Sequence, residues 1–116
     1  MVYGCNLVEV AILIIGIAML KIDDYVTDVL MRDLVGHDKR PVSFLVYLWL
    51  ASEQQRLEEA VQVSYSELAE SIGVSKSSAQ SAVGWLVRRK LLAVTKSSVT
   101  ATPVYRVQTP WRRYRA

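Results

Sequence analysis

The chain has little of what catalysis and metal binding most often require: one cysteine, Cys5, and one histidine, His37, in 116 residues. A lone cysteine forms no internal disulfide, and one Cys with one His cannot supply the four ligands of a structural zinc site. No metal and no cofactor is expected. A histidine-based catalytic arrangement would have to be built on His37, in the turn-like stretch Gly36-His37-Asp38-Lys39-Arg40-Pro41. No nucleophile, phosphate loop or paired-carboxylate spacing accompanies it. His37 therefore reads as a loop histidine and the chain as a non-enzyme. Cys5 reads as a buried or incidental thiol, and its solitude fits a reducing cytoplasm.

Acid is absent from one end of the chain. Residues 1–70 hold five Lys/Arg against all eleven Asp/Glu, a balance of −6, while residues 71–116 hold nine Lys/Arg and no carboxylate, a balance of +9. Cations clustered without neighbouring acids create the field that attracts phosphate backbones, so a polyanionic partner is expected for the C-terminal half. The bland alternative is a solvated basic surface.

A bilayer-spanning run is also lacking. Leu7 to Leu20 is apolar but broken by Glu9, shorter than the ~20 residues that a transmembrane helix needs. No Lys or Arg precedes the run and no small-residue cleavage site follows before Asp23-Asp24, which disfavours a secretory signal. Three readings of residues 1–21 stay open: a core or dimerisation segment, a weak membrane anchor, or a leader preceding an in-frame Met19. Membrane association is not expected. Hydrophobic residues at 52% and charged residues at 22% give a globular balance for one domain, placed at 22–109 and followed by a basic tail at 110–116.

Within that domain, Ile22, Val26, Val29, Leu30 and Leu34 recur at three and four residues and predict a helix near 23–35, with Gly36 as its C-terminal cap. Pro41 suits the first position of a second helix with Phe44, Leu45, Leu48, Trp49 and Ser52 on one face, ending before Glu58-Glu59. Val61-Gln62-Val63 reads as a brief strand. Ser64-Tyr65-Ser66-Glu67 is the capping-box pattern, in which a hydroxyl and a carboxylate satisfy each other's backbone N–H. The helix it opens carries Leu68, Ala69 and Ile72 and stops at Gly73, and Ser75 caps the next helix, near 76–89. Two helices joined so tightly cross steeply as a helix-turn-helix. On the second of them Ala79, Ala82, Val83 and Leu86 share one face, with Ser77, Gln80, Ser81, Gly84 and Arg88 opposite. Leu91–Lys96 and Val104–Gln108 are strand-like around a hairpin tip, and Pro110 ends the pairing.

The segment Ser64 to Leu92 resembles the winged helix-turn-helix of MarR- and GntR-type bacterial regulators. The resemblance rests on Glu67-Leu68-Ala69, Gly73-Val74-Ser75 and the closing Leu91-Leu92, and covers about residues 41–109. It implies a mainly α fold with a small antiparallel β-wing and, here, an extra N-terminal helix. It also implies sequence-specific binding of double-stranded DNA and transcription regulation, with helix 76–89 in the major groove and wing 91–109 on the backbone. The chain departs from the family at Lys90, where a glycine usually precedes the closing hydrophobic pair.

Carried onto this sequence, the resemblance makes Lys76 and Gln80 candidate base readers. Ser75, Ser77, Ser78 and Ser81 become hydroxyl or backbone contacts at the positive helix end, with plain capping as the alternative. Arg88 and Arg89 are candidate phosphate contacts, although cations at a helix C-terminus also meet the macrodipole. Lys96, Ser98 and Arg106 are candidate wing contacts. Gly84 costs about 1 kcal/mol relative to Ala inside a helix, so either close approach of DNA or tight packing against another helix is expected there. Trp49 and Trp85 read as core aromatics rather than stacking platforms. A homodimer is reasonable, and no small-molecule ligand is evident. A replication-initiation or plasmid-maintenance role has the same local physics. A protein-interaction module remains the rival from another class.

Overall fold

The computed structural model describes residues 19–114, so the readings for the apolar run fall largely outside the described residues. Among the described residues, no helix is long and apolar enough to cross a membrane.

Positions 24–37 wind into helix α1, as two wide π-type segments, Val26–Leu30 and Arg32–His37, joined through Met31. Val26, Leu30 and Leu34, four residues apart, are its buried edge. The stop expected at Gly36 does not occur. In the wide winding the Asp38 N–H reaches the Asp33 carbonyl at 2.8 Å and the Arg40 N–H reaches the Leu34 carbonyl at 2.7 Å. These two carbonyls are thus satisfied without a glycine cap, and the left-handed residue is Lys39 instead (φ 55°).

Pro41 is the first residue of α2, Pro41–Leu57, where its missing N–H would have been unpaired in any case. The single apolar face expected for this helix is only part of the picture. Leu45 is exposed, while Val46, Tyr47 and Leu50 join Phe44 in the core. The reason is position: α2 is the central helix and packs against α1, the next two helices and the sheet, so it buries several sides. Its buried Ser43 donates to the Ala82 carbonyl at 3.3 Å. The helix ends at left-handed Glu58.

Strand β1, Val61–Gln62, leads to α3, Tyr65–Ile72. The capping box forms as its sequence requires: the Glu67 N–H donates to Ser64 Oγ at 3.1 Å, and the Ser64 N–H donates to Glu67 Oε1 at 3.2 Å. Left-handed Gly73 (φ 84°) turns the chain into α4, Lys76–Arg88. Strands β2, Leu92–Thr95, and β3, Val104–Val107, form the wing hairpin, and β1 pairs antiparallel with the other edge of β3, giving the order β1-β3-β2. Val61 and Val94 both lie opposite Tyr105, which is fully buried. Leu34, Val46, Leu50, Leu68, Ala79 and Leu86 complete the centre of the core.

Lys90, the departure from the family pattern, is left-handed anyway (φ 59°). Its N–H bonds the Val87 carbonyl at 3.0 Å and the Leu91 N–H bonds the Leu86 carbonyl at 2.9 Å. These are the paired bonds of a Schellman cap, and they hold a lysine in a conformation that costs an L-residue about 1 kcal/mol.

The segment read as a basic tail begins inside the domain. In the 3-10 turn Pro110–Tyr114, Trp111 is buried and stacks on Tyr25 with ring centroids 4.7 Å apart. Its indole N–H donates to Asp23 at 2.8 Å, and Arg112 Nε reaches the same carboxylate at 2.7 Å. At the other end the Lys21 backbone is gripped by the Gln55 amide, which accepts from its N–H at 2.7 Å and donates to its carbonyl at 2.6 Å.

Candidate nucleic-acid interface

Helix α4 presents its N-terminal half because three residues, Gly73-Val74-Ser75, separate it from α3. The Ser75 hydroxyl accepts the Ser78 N–H at 3.1 Å and lies 2.8 Å from Ser78 Oγ and 3.3 Å from Ser77 Oγ. Ser75 is therefore the cap, and Ser78, half-buried, is tied to it. Ala79, Ala82, Val83 and Leu86 face the core. Lys76, Ser77, Gln80, Ser81 and Arg88 are exposed together, with no carboxylate among them. Gly84 lies on the same helix, and a Cβ built there meets nothing within 4 Å. Tight helix packing, one of its two expected explanations, is excluded.

The C-terminal end of α4 is held by acids from α1 and the residue after it. Arg89 Nη1 donates to both oxygens of Asp38, at 2.8 and 3.1 Å, and Nη2 reaches Asp33 at 3.2 Å. Both ends of the Arg89 guanidinium are thus engaged by carboxylates, unlike the side chains of Lys76 and Arg88 on the same helix. Asp38 also accepts from the Trp85 indole at 2.9 Å and lies 3.0 Å from His37 Nδ1, and its side chain is 3% exposed. Burial alone would raise its pKa. Hydrogen bonds from His37 and Trp85 and the charge of Arg89 outweigh burial and hold the carboxyl below the ordinary 3.8.

Trp85 packs against the core as expected, yet it also serves as a platform. The Arg40 guanidinium lies 4.6 Å from its ring centroid and that of Arg88 lies 5.7 Å away. Arg40 also donates to Ser81 Oγ at 3.0 Å. Sequence reasoning missed Arg40, because 41 residues separate it from Ser81 and it belongs to the acid-rich half.

On the wing, Lys96 and Ser98 are exposed at the hairpin tip. Arg106 is exposed on the outer face of the sheet opposite Ala93. It lines a groove of about 340 Å³ between α2 and β3 that also includes Glu58 and Glu59, so carboxylates share its surroundings. The nine cations of the C-terminal half are thus not equivalent. Arg89 and Arg112 are paired with acids of the N-terminal half, whereas Lys76, Arg88, Lys90, Lys96 and Arg106 make no ion pair among the described residues. Among the described residues, no group of three or more His, Cys, Asp or Glu is placed to hold a metal ion.

A tight two-helix turn with an exposed second helix, followed by an antiparallel hairpin braced by a third strand, defines a winged helix-turn-helix. Residues 52–101 match the family model described as "Winged helix-turn-helix domain (DUF2582)", which spans the end of α2, both motif helices and the first wing strand. No curated protein and no solved structure matches the chain.

Proposed function

We propose that this protein binds duplex DNA in a sequence-specific manner as a MarR- or GntR-type bacterial transcription regulator of the cytoplasm. Helix α4 enters the major groove and the wing tip lies on the backbone. The observation that carries the reading is the exposed face of α4: Lys76, Ser77, Gln80, Ser81 and Arg88 offer cations, hydroxyls and one amide without a single carboxylate. In this reading Lys76 and Gln80 meet base edges, the amide being suited to adenine. Ser77 and Ser81, the Ser75–Ser78 cap, Arg88, Lys96 and Ser98 position the duplex through its phosphates. Arg106 is the weakest member of the set, because Glu58 and Glu59 share its groove. The protein acts by occupancy rather than catalysis, and a homodimer would read two half-sites about one helical turn apart.

The test is titration of fluorescent duplexes at several salt concentrations. Four to seven phosphates neutralised by one module should give a log–log slope of about 0.9 per phosphate. Lys76→Ala and Gln80→Ala should each lose about 1–3 kcal/mol at a selected site and much less on random sequence, whereas Lys96→Ala should weaken both alike. A salt-independent affinity, or no binding, would refute the reading and leave the protein-interaction module in its place.

A further inference from the structure

The linker between α1 and α2 and the N-terminal half of α4 enclose a groove of about 410 Å³, beside the candidate base readers Lys76 and Gln80, neither of which lines it. Lys39, Arg40, Ser77, Ser78 and Ser81 line it, and no carboxylate does. Arg40 is its distinctive member. The side chain is half-buried, stacked over Trp85 at 4.6 Å and hydrogen-bonded to Ser81 at 3.0 Å, yet it has no ion pair among the described residues. The nearby acid in sequence, Asp38, is engaged by Arg89, Trp85 and His37. A guanidinium carries five N–H donors in a planar fork suited to phosphate, and one hydrogen bond accounts for only one of them here. Trp85, fixed by Asp38, holds this fork in place before any partner arrives, so little side-chain freedom remains to be lost on binding. A fixed, uncompensated guanidinium in a hydroxyl-lined groove has the chemistry of an oxyanion site.

We propose that this groove is a phosphodiester subsite, in which Arg40, assisted by Lys39 and the hydroxyls of Ser77 and Ser81, receives one backbone phosphate of the duplex whose bases α4 reads. The inference rests on the DNA-binding reading and extends it. The linker from the acid-rich half becomes part of the interface, and the footprint reaches past the helix-turn-helix and wing.

The experiment uses the full chain and a mixed-sequence duplex of about 20 base pairs, with fluorescence anisotropy read across a salt series. Arg40→Ala should reduce the log–log salt slope by about 0.9, the share of one phosphate, and weaken binding about tenfold at moderate salt. Arg40→Lys keeps the charge and loses the stacked fork, so it should keep the slope and bind less tightly. Lys39→Ala, at an exposed site, guards against a folding defect and should also lower the slope. A scan of duplexes carrying one neutral methylphosphonate linkage then locates the contact. One linkage should weaken the wild type and have no effect on Arg40→Ala. A wild type that binds with a clear salt slope while Arg40→Ala keeps that slope at every linkage would overturn the subsite and leave the DNA reading intact. A wild type that fails to bind duplex would overturn both.

Discussion

Replacing Asp38 with asparagine keeps the shape of the side chain and removes its charge. In the native protein this carboxylate, 3% exposed, accepts two hydrogen bonds from Arg89 and one from Trp85 and contacts His37. Hydrogen bonds to charged groups are worth about 1.5–3 kcal/mol, and leaving a buried cation without its partner costs more. Arg89, however, keeps Asp33, and a third of its side chain meets water, so the loss lies toward the lower end. Asp38→Asn should destabilise the domain by about 2 kcal/mol at neutral pH, or roughly 8–16 °C in Tm for a domain of this size. The pH dependence has a definite sign. The folded-state pKa is depressed, so the stabilisation is fully present above the ordinary value of 3.8 and is lost as pH falls through the folded value. Urea unfolding followed by tryptophan emission should therefore show a constant gap between wild type and variant down to about pH 5, closing in stronger acid. Equal stabilities at neutral pH, or a gap that persists undiminished near pH 2, would refute the assignment of Asp38 as a charged anchor of α4.

Two further outcomes follow from residues away from that anchor. Gly84→Ala should raise stability by about 0.5–1 kcal/mol in thermal unfolding, because a methyl group there meets nothing in the protein, and should lower duplex affinity if the backbone is approached at that point. Trp111→Ala should cost about 3 kcal/mol in urea unfolding, the size of a buried aromatic truncation. A frayed tail would show no change, so that measurement separates the two descriptions of residue 111.

What could be read from the sequence was chemistry that acts over a few residues. The Ser64/Glu67 box, the Gly73 turn, the Ser75 cap and Pro41 at a helix start each depend on neighbours within four positions, and each forms where its pattern stands. The buried face of α4, Ala79 to Leu86, was legible because one side of a helix faces one core. The winding of α1 through Gly36 was not legible, since wide turns leave no mark on a three-and-four spacing. Lys90 stands where the family usually has glycine, yet it takes the left-handed conformation, directly before the buried Leu91 and Leu92. Counted along the chain, Arg89 and Arg112 belong to a half without any acid. Their partners are 51 and 89 residues away, in the half that carries all the acid.

The contact between Asp23 and Trp111 joins positions 88 residues apart, so the domain closes on itself like a clasp. Bringing such distant points together costs about 4 kcal/mol in chain entropy, and nothing local helps to nucleate it. During synthesis α1 leaves the ribosome long before its aromatic partner does. Tyr25 must wait, one face of its ring uncovered, until the last described turn has been made. The early chain is thereby exposed to association with other nascent segments in a way that the finished domain is not. Both ends of the clasp lie side by side, with Lys21, Asp23, Trp111 and Arg112 lining one groove.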